Sequence, residues 1–345
     1  MKYETLRSAP GVLHILDQRK LPEMVEYFEA RNYKEIEYAI ADMVVRGAPA
    51  IGAVASYGVY LAALEYSSLP KEEFLARLGE ANRVLEASRP TAVNLMWAID
   101  RMEKLIANNE SQEVRAIVDA LLAEANAIAR EDVETNKAMA RHGNELVPQG
   151  ATILTHCNTG ALATVGWGTA LGVIREAHFT GKDIHVYADE TRPRLQGANL
   201  TAFELVEEGI PATLIADSVA ATLIRDGKID LILVGSDRIA RNGDAANKIG
   251  TYMLSELAAR FKVPFYVVAP VSTIDFGIPD GSHIKIEERS AEEITHVRGV
   301  RVAPEGINVF NPAFDVTPHA NITGIITEQG VLKPPFVEGI SGLKK

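Results

Sequence analysis

The second half of the chain alternates short apolar runs with helical patterns, and this alternation limits the possible folds more than any other feature. The apolar runs lie at residues 151–157, 184–190, 211–217, 231–237, 264–270 and 322–328. Helical periodicity separates most of them, as at 201–208, 218–226 and 245–261. Strands that alternate with helices of this length predict βαβ units, and their near-continuous apolar character predicts a parallel sheet covered on both faces. The fold class is therefore α/β, with a Rossmann-like part built on a mostly parallel sheet.

The first part of the chain is mostly helical. Apolar residues recur at helical spacing at 33–45 and 71–88, and a long helical pattern runs from about Glu113 to Leu146. A chain of 345 residues exceeds the usual size of one domain. We therefore predict a small, mostly helical N-terminal domain at 1–145 and a Rossmann-like catalytic domain at 146–345.

The net charge of −11 disfavours nucleic acid and anionic membranes as partners, because their phosphates are repelled at long range. The chain has one cysteine, Cys157, and cannot form an internal disulfide, which predicts a reducing compartment and a cytoplasmic protein. The first residues lack the apolar segment of a signal peptide. The longest apolar stretch, from Ile51, is shorter than the ~20 residues of a membrane span and predicts a buried helix.

Ligands of an open parallel sheet bind at the carboxyl ends of its strands, so the residues that follow each apolar run are the first candidates for a site. Cys157 ends the run at 151–157, and Asn-Thr-Gly follows it. It is either a small buried side chain, as most free cysteines are, or a thiol activated by the N-terminus of a Gly- and Ala-rich helix that we predict directly after it. His156 should point to the opposite face of the strand, so we do not pair it with the thiol.

Asp237 ends the apolar run at 231–237 in the same way. It is either a helix N-cap or the ion-pair partner of Arg238, or else a general acid or base in a partly desolvated position at the sheet edge. Cys157 and Asp237 together would form a proton-handling pair.

Binding groups for an anion are present, although the nucleotide-binding motifs are not. Gly181-Lys182 is followed by Asp183, so no P-loop is formed, and no dinucleotide fingerprint occurs. The candidate anion-binding residues have an exposed N–H, an amide or a cationic group near a predicted helix start or turn; they are Arg46, Gly47, Ala48, Arg89, Asn247 and Lys248. We place Asn247 and Lys248 early in a helix. No metal-binding spacing occurs, which predicts no essential metal.

Seven stretches of the sequence form a pattern that closely resembles the 5-methylthioribose-1-phosphate isomerases, enzymes of methionine salvage related to the regulatory subunits of translation initiation factor 2B. They are RGAPAIG (46–52), SRPTAVNL (88–95), THCNTGALAT (155–164), ADETRPRLQGANLTAFEL (188–205), GSDRIARNGDAANKIGTY (235–252), VFNPAFDVTPH (309–319) and ITGIITEQG (322–330). The resemblance covers nearly the whole chain, in order. One departure is Asn199, where we would expect a basic residue.

The resemblance implies a reaction and a set of site residues. It implies an aldose–ketose isomerase, active in methionine biosynthesis, that converts 5-methylthioribose 1-phosphate to 5-methylthioribulose 1-phosphate without a redox cofactor. The family's catalytic cysteine and aspartate fall on Cys157 and Asp237. Its phosphate ligands fall on Arg46, Gly47, Ala48, Arg89, Gln196, Asn247 and Lys248; of these, only the resemblance indicates Gln196. It also implies a homodimer, for which the long Gly- and Pro-rich segment at 271–320 is a candidate partner-facing arm.

The sequence leaves alternatives open for both the reaction mechanism and the substrate. Our hypothesis is proton transfer by Cys157 and Asp237 through an enediol-type intermediate; hydride transfer between C2 and C1 is the alternative. Ribose 1,5-bisphosphate would need a basic pocket end, whereas a methylthio group would need an apolar one, drawn from residues such as Trp97, Phe203 or Met96. 5-Deoxyribose 1-phosphate is a candidate additional substrate. A non-catalytic regulatory subunit would have no need of a thiol–carboxylate pair.

Overall fold

The computed structural model describes residues 3–89 and 93–343, which form two compact units. The first unit contains the described residues up to Lys137 and also Gly160–Gly168. The second contains Ala138–Thr159 and the described residues from Thr169 onward. The compact units thus divide after Lys137, and the domain boundary predicted between residues 145 and 146 stays a prediction.

The first unit combines a small antiparallel sheet with a helical bundle. The strands β1 (Leu6–Ala9), β2 (Val12–Leu16) and β3 (Tyr27–Ala30) pair in sequence order. The helices are α1 (Tyr33–Ala41), α2 (Ala48–Glu65), α3 (Lys71–Ser88), α4 (Val93–Asn108) and α5 (Val114–Asn144), of which α5 continues into the second unit. The predicted helical character of this part is confirmed.

Helix α2 is the core of the first unit. It is buried on all sides from Ala50 to Ala63 and packs against α1, α3 and α4. In the part of the chain that the structure describes, it is the one helix long and apolar enough to cross a bilayer, yet 78% of that segment is buried inside the protein. Burial on all sides therefore accounts for its apolar composition.

Side chains of the first unit hold the short excursion Gly160–Gly168 in place through hydrogen bonds to its backbone. Thr5 Oγ1 donates to the carbonyl of Ala161 at 2.6 Å, and Gln18 Nε2 donates to the carbonyl of Leu162 at 2.6 Å. The Asp132 carboxylate, on α5, accepts the N–H of Val165 at 2.7 Å. Burial raises the pKa of Asp132 to about 7, and the hydrogen bonds from the backbone and from Asn136 only partly oppose that rise.

We expect Asp132 to make the stability of the protein fall as the pH rises from about 4 to about 7. The folded protein holds the Asp132 proton in this window and the unfolded chain does not, so folding is favoured below it and loses that contribution above it. Asp132→Asn keeps an acceptor for Val165 but cannot ionise. At pH 8 the variant should be more stable than the parent by about 2 kcal/mol, and at pH 4.5 nearly equal to it.

Urea unfolding at both pH values measures this difference. The control is Asp119→Asn, on the exposed face of the same helix, where Asp119 forms a surface ion pair with Arg115. It should follow the parent within about 0.5 kcal/mol. A parallel pH dependence of Asp132→Asn and the parent would contradict the prediction.

The second unit is built on a seven-stranded sheet in the order β16-β15-β10-β7-β4-β5-β6. Its strands are β4 (Thr152–Thr155), β5 (His185–Asp189), β6 (Ala212–Ile215), β7 (Leu231–Val234), β10 (Phe265–Val268), β15 (Gly324–Thr327) and β16 (Gly330–Leu332). All neighbours are parallel except β15 and β16. The six strands predicted from the apolar runs all belong to this sheet, which confirms the α/β class and the mostly parallel sheet.

Helices and short strands complete the second unit. The helices are α6 (Ala170–Phe179), α7 (Ala202–Glu208), α8 (Val219–Arg225), α9 (Thr251–Phe261), α10 (Glu292–Thr295) and α11 (Phe336–Ser341). The remaining strands are β8 (Arg238–Ala240), β9 (Ala245–Lys248), β11 (Ile274–Asp275), β12 (His296–Val297), β13 (Val300–Arg301) and β14 (Phe314–Thr317). Four of them form a second sheet, ordered β11-β8-β9-β14.

The order of the large sheet reverses direction beside β4. From β4 the chain adds β5 and β6 on one side, and then crosses back to place β7, β10 and β15 on the other. The central strands β4 and β7 are parallel, with Ile153 opposite Leu231 and Thr155 opposite Leu233. The point of reversal therefore lies between β4 and β7.

The helix predicted at 245–261 is wrong in its first part. Residues 245–248 form β9, which pairs antiparallel with β8 and with β14, so that Asn247 lies opposite Asp315. Helix α9 begins only at Thr251, after Gly250 at φ +104°. A strand supplied from far along the chain overrides the local helical pattern here.

The segment 271–320 contains β11–β14 and α10, so it is a chain of short elements that partly joins the second sheet. Its most exposed apolar side chains are Val300 (66%), Val302 (61%), Ile307 (56%) and Phe310 (77%). Its role as a partner-facing arm stays a prediction.

Candidate active site

Cys157 and Asp237 follow the two central strands of the large sheet. Strand β4 ends at Thr155 and β7 at Val234, a few residues earlier than the apolar runs predicted. The two side chains thus come from the carboxyl ends of neighbouring parallel strands, at the point where the strand order reverses. In open α/β sheets this is the position of the ligand-binding crevice.

The backbone at Cys157 is held by two threonine hydroxyls. Cys157 adopts a left-handed conformation with φ 63°, and its side chain is only 6% exposed. Its N–H donates to Thr191 Oγ1 at 2.8 Å, and its carbonyl accepts from Thr201 Oγ1 at 2.6 Å. The sharp turn is therefore fixed by the segment that follows β5.

The helix predicted directly after Cys157 is wrong. The chain there enters the first unit, where it forms one 3₁₀ turn at Ala161–Ala163, and α6 begins only at Ala170. The amide of Thr169 closes the excursion by donating to the carbonyl of Thr159 at 2.8 Å. No helix begins directly after Cys157, so a helix N-terminus does not activate its thiol.

A buried charge network supports the residue next to the thiol. Asn158 Nδ2 donates to Glu204 Oε1 at 2.7 Å, and Arg175 Nη2 donates to Glu204 Oε2 at 2.8 Å. Arg175 also pairs with Glu208, and its side chain is 1% exposed. The sequence analysis missed this network, although an arginine in the apolar pattern of α6 could have indicated it, because buried arginines are rarely unpaired.

The turn at Asp237 is pinned to β9. The N–H of Asp237 and Ser236 Oγ both donate to the carbonyl of Ala246, at 2.9 Å each. The N-cap interpretation of Asp237 is wrong, because strand β8 begins at the next residue. Arg238 forms an ion pair with Asp275 at 3.7 Å. The half-buried carboxyl of Asp237 sits at the sheet edge, where a general acid or base was expected.

Asn247 and Lys248 lie on β9, and both are 5% exposed. Asn247 Nδ2 donates to Thr251 Oγ1 at 3.0 Å. Lys248 Nζ donates to the carbonyl of Ala313 at 3.0 Å and lies 4.4 Å from the centre of the Phe314 ring. An ammonium group so well enclosed favours an anion as a further neighbour.

Gln196 lies between β5 and a π-helix at Gly197–Thr201, and it is 4% exposed. Within residues 3–89 and 93–343 its Oε1 has no hydrogen-bond partner. A buried amide oxygen without a partner is costly, so it suits a ligand that brings a hydroxyl group. Gly197 is required here because a Cβ would lie 1.7 Å from the carbonyl oxygen of Asp189.

The other predicted anion-binding residues lie in the first unit. Gly47 caps α2 at φ 94°, Ala48 is its first residue, and a Cβ on Gly47 would lie 2.2 Å from the carbonyl oxygen of Ala163. The start of α2 therefore presents N–H groups beside Arg46, as an anion site requires. Because Pro90 follows it, Arg89 is predicted to have an extended backbone. Its φ of −155° is extended but its ψ of 78° is not, and Pro90 lies outside the described residues.

The nine predicted site residues are thus divided between the units. Cys157, Gln196, Asp237, Asn247 and Lys248 lie in the second unit; Arg46, Gly47, Ala48 and Arg89 lie in the first. Their assembly into one site stays a prediction.

His156, Asp189 and Asp217 form a buried group with metal-ligating atoms, and Glu86, Asp100 and Glu103 form a second group on the surface; these are the two groups of this kind in the described parts of the chain. His156 Nδ1 lies 2.9 Å from Asp189 Oδ2. Asp217 accepts the N–H groups of Thr191 and Arg192 at 2.7 and 2.8 Å. Asp189 Oδ2 and both oxygens of Asp217 are therefore engaged in hydrogen bonds, whereas Asp189 Oδ1 has no hydrogen-bond partner among the described residues. The absence of an essential metal stays a prediction.

The pKa values of His156 and Asp189 are both raised. Burial lowers the pKa of His156, but the hydrogen bond and charge of Asp189 outweigh it. Burial raises the pKa of Asp189, against the opposing effect of His156. Both directions favour a pair that holds a proton between its two members.

Comparison with known proteins places this architecture in a family. The model of the initiation factor 2 subunit family matches residues 44–334. The chain belongs to the initiation factor 2 subunit family.

Two named relatives resemble the chain over nearly its whole length. The methylthioribose-1-phosphate isomerase of Caldanaerobacter subterraneus subsp. tengcongensis is 66% identical over 341 residues, which are 99% of each chain. The methylthioribose-1-phosphate isomerase of Pelotomaculum thermopropionicum is 55% identical over 98% of this chain and 93% of its own.

Two solved structures have the same fold as this chain. The 5-methylthioribose 1-phosphate isomerase from Pyrococcus horikoshii OT3 is 46% identical with a TM-score of 0.93, covering 98% of this chain and 94% of that one. A chain named translation initiation factor eIF-2B, subunit delta, from A. fulgidus is 43% identical with a TM-score of 0.88, covering 99% of both chains.

Proposed function

We propose that this chain is an aldose–ketose isomerase that converts 5-methylthioribose 1-phosphate to 5-methylthioribulose 1-phosphate in methionine salvage. The observation that carries the proposal is the 66% identity, over 99% of each chain, with a relative of that name. The geometry supports it, because a thiol and a carboxyl group follow the neighbouring strands β4 and β7 at the reversal of the sheet.

The reaction moves one hydrogen from C2 to C1 while the phosphate ester on O1 stays intact. We propose that a base removes the C2 proton while an acid protonates the ring oxygen, so that the bond from C1 to that oxygen breaks and an enol forms. C1 then takes up a proton and the C2 hydroxyl loses one, which gives the ketose. Cys157 and Asp237 share these acid and base roles, and the atoms balance without a redox partner.

Substrate binding in this proposal uses charge and backbone donors. The phosphate is held by Arg46, Arg89 and Lys248 and by N–H groups at Gly47 and Ala48. Gln196 and Asn247 supply amide groups for the ester and the sugar hydroxyls. Asn199, at the position where the family leads us to expect a basic residue, still offers a hydrogen-bond donor.

We expect purified protein to convert 5-methylthioribose 1-phosphate to the ketose and to leave ribose 1,5-bisphosphate unchanged. Proton NMR of both reactions in D₂O measures this, and a parallel assay of 5-deoxyribose 1-phosphate tests the further substrate. The enol route puts deuterium on C1 of the product. Complete retention of the original hydrogen at C1 would favour hydride transfer, and turnover of the bisphosphate alone would overturn the substrate assignment.

A regulatory subunit without catalysis is the competing function, and the name of the A. fulgidus structure corresponds to it. That chain is 43% identical, whereas the relative named as an isomerase from Caldanaerobacter is 66% identical. Absence of turnover with every sugar phosphate would favour the regulatory function.

We also propose a cytoplasmic homodimer. One cysteine in the chain suits a reducing compartment. The exposed apolar side chains of the segment 271–320 (Val300, Val302, Ile307 and Phe310) supply a surface of the kind that subunits cover.

A further inference from the structure

His156 is completely buried beside Cys157 and joins two parts of the second unit. Its side chain is 1% exposed. Nδ1 lies 2.9 Å from Asp189 Oδ2, at the end of β5, and Nε2 lies 2.9 Å from the carbonyl oxygen of Ile249, just past the end of β9. The ring therefore links the turn that carries Cys157 to the end of the strand that carries Asn247 and Lys248.

The hydrogen bonds determine where the protons of the ring lie. A carbonyl oxygen only accepts, so Nε2 must carry a proton. The contact between Nδ1 and Asp189 needs one further proton, which belongs either to the ring or to the carboxyl. In both cases the pair of side chains is neutral overall, which is what burial favours.

The chain at Ile249–Gly250 is clamped from two sides. A Cβ on Gly250 would lie 3.0 Å from His156 Cε1, so the turn packs directly on the ring. On the other side, Asp315 accepts the N–H of Gly250 at 2.7 Å and that of Tyr252 at 3.0 Å. The negative charges of Asp217 and Glu190, at the strand ends, raise the pKa values within the His156–Asp189 pair. The charge of His156 in turn lowers the pKa of Asp315, against the larger effect of burial.

We propose that His156, oriented by Asp189, is a positioning residue that holds the Cys157 turn in register with the end of β9. The inference rests on the proposed function, because it assumes that Cys157 reacts with a substrate whose phosphate is bound from β9. Its role is geometric: the Nε2–H bond to Ile249 sets the distance between the two segments. A displacement of about 1 Å between reacting groups can reduce a rate by about 100-fold.

Three variants separate this geometric role from a charge role. His156→Asn places an amide near Nδ1, which keeps the bond to Asp189 and loses the bond to Ile249. Asp189→Asn donates to Nδ1, so the neutral ring keeps its proton on Nε2 and both bonds survive. Asp189→Leu has a similar size and donates nothing. His185→Asn, a partly exposed histidine on β5, is the control.

We expect kcat to fall about 10–100-fold in His156→Asn and about 10-fold in Asp189→Leu, and to stay within about 3-fold of the parent in Asp189→Asn and His185→Asn. Iodoacetamide provides a second readout that needs no turnover, because Cys157 is the only thiol in the chain. Alkylation of Cys157 should be about 10-fold faster in His156→Asn, where the turn is loosened, and unchanged in Asp189→Asn.

The outcomes distinguish the inference from the proposed function. A parent protein without isomerase activity but with the expected alkylation pattern would remove the function and keep the positioning role. His156→Asn at parental kcat and parental alkylation rate would overturn the inference. So would an Asp189→Asn variant as impaired as Asp189→Leu, since charge rather than geometry would then matter. If His156→Asn does not fold, the comparison of the two Asp189 variants decides in the same way.

Discussion

Cys157→Ser is expected to lower kcat by about 10²–10⁴-fold while the melting temperature stays within about 3 °C of the parent. A thiol gives up its proton far more readily than a serine hydroxyl, so the variant loses one member of the proposed proton-handling pair. Stability should be kept, because the left-handed turn is fixed through backbone bonds to Thr191 and Thr201 and serine is close to cysteine in size. Steady-state kinetics and thermal unfolding measure the two effects.

Asp237→Asn is the matched variant, because it removes the second group of the proposed proton-handling pair, and its kcat should fall within the same range. Thr155→Val is the control: Thr155 ends β4, is 1% exposed, and its hydroxyl has no hydrogen-bond partner among the described residues. It should keep kcat within about 3-fold. A Cys157→Ser protein that unfolds would favour the alternative in which the thiol is only a core side chain.

Arg175→Met is expected to reduce the free energy of unfolding by about 3–5 kcal/mol, the usual cost of leaving a buried charge without its partner. The substitution keeps much of the volume of the side chain but leaves Glu204 and Glu208 facing each other in the interior. The two carboxylates are at most 4% exposed, so water cannot compensate for the lost guanidinium group.

Urea unfolding with a single, global transition measures this loss. Arg225→Met is the control, since its ion pair with Asp226 lies on the surface, and it should change stability by less than about 0.5 kcal/mol. Replacing Glu204 and Glu208 by apolar residues together with Arg175 should recover much of the loss, because the buried charges disappear together. A loss of less than about 1 kcal/mol in Arg175→Met would show that the network is not a structural requirement.

The large sheet could be predicted because its signal is local. Each parallel strand is apolar on both faces, so its run of apolar residues stands out from the amphipathic helices beside it. The run at 231–237, for example, becomes β7, and the helical pattern at 218–226 becomes α8. The rule that ligands bind past the strand ends then led to Cys157 and Asp237.

The features that could not be predicted depend on distant parts of the chain. Strand β9 exists because β14 pairs with it, and the sequence near Asn247 contains no signal that indicates this partner. The excursion after Cys157 belongs to the first unit, so the helix that we expected directly after Cys157 begins only at α6. Gly243 and Gly250, both at positive φ, were the local signals that bracket β9.

The buried side-chain network and the histidine pair were missed for the same reason. Polar side chains in an apolar strand or helix are visible in the sequence, but their partners lie on other elements. For His156 the sequence predicted only the face of the strand to which its side chain points. The structure adds its hydrogen bond to Asp189, at the end of the neighbouring strand. When a polar residue interrupts an apolar run, its hydrogen-bond partner should therefore be sought among the polar residues of the neighbouring predicted strands.

The sheet whose strand order reverses beside β4 is shared by proteins that carry different functional names. Chains named as isomerases and a chain named as a translation factor subunit are each at least 43% identical to this chain, and solved structures with both names have its fold. The large sheet is maintained by backbone pairing among seven strands, whereas Cys157 and Asp237, the residues for which we propose chemistry, lie in the loops that follow two of them. We infer that substitution of either residue would leave this scaffold intact and would remove only the proposed chemistry, so that one fold can serve a binding protein as well as an enzyme.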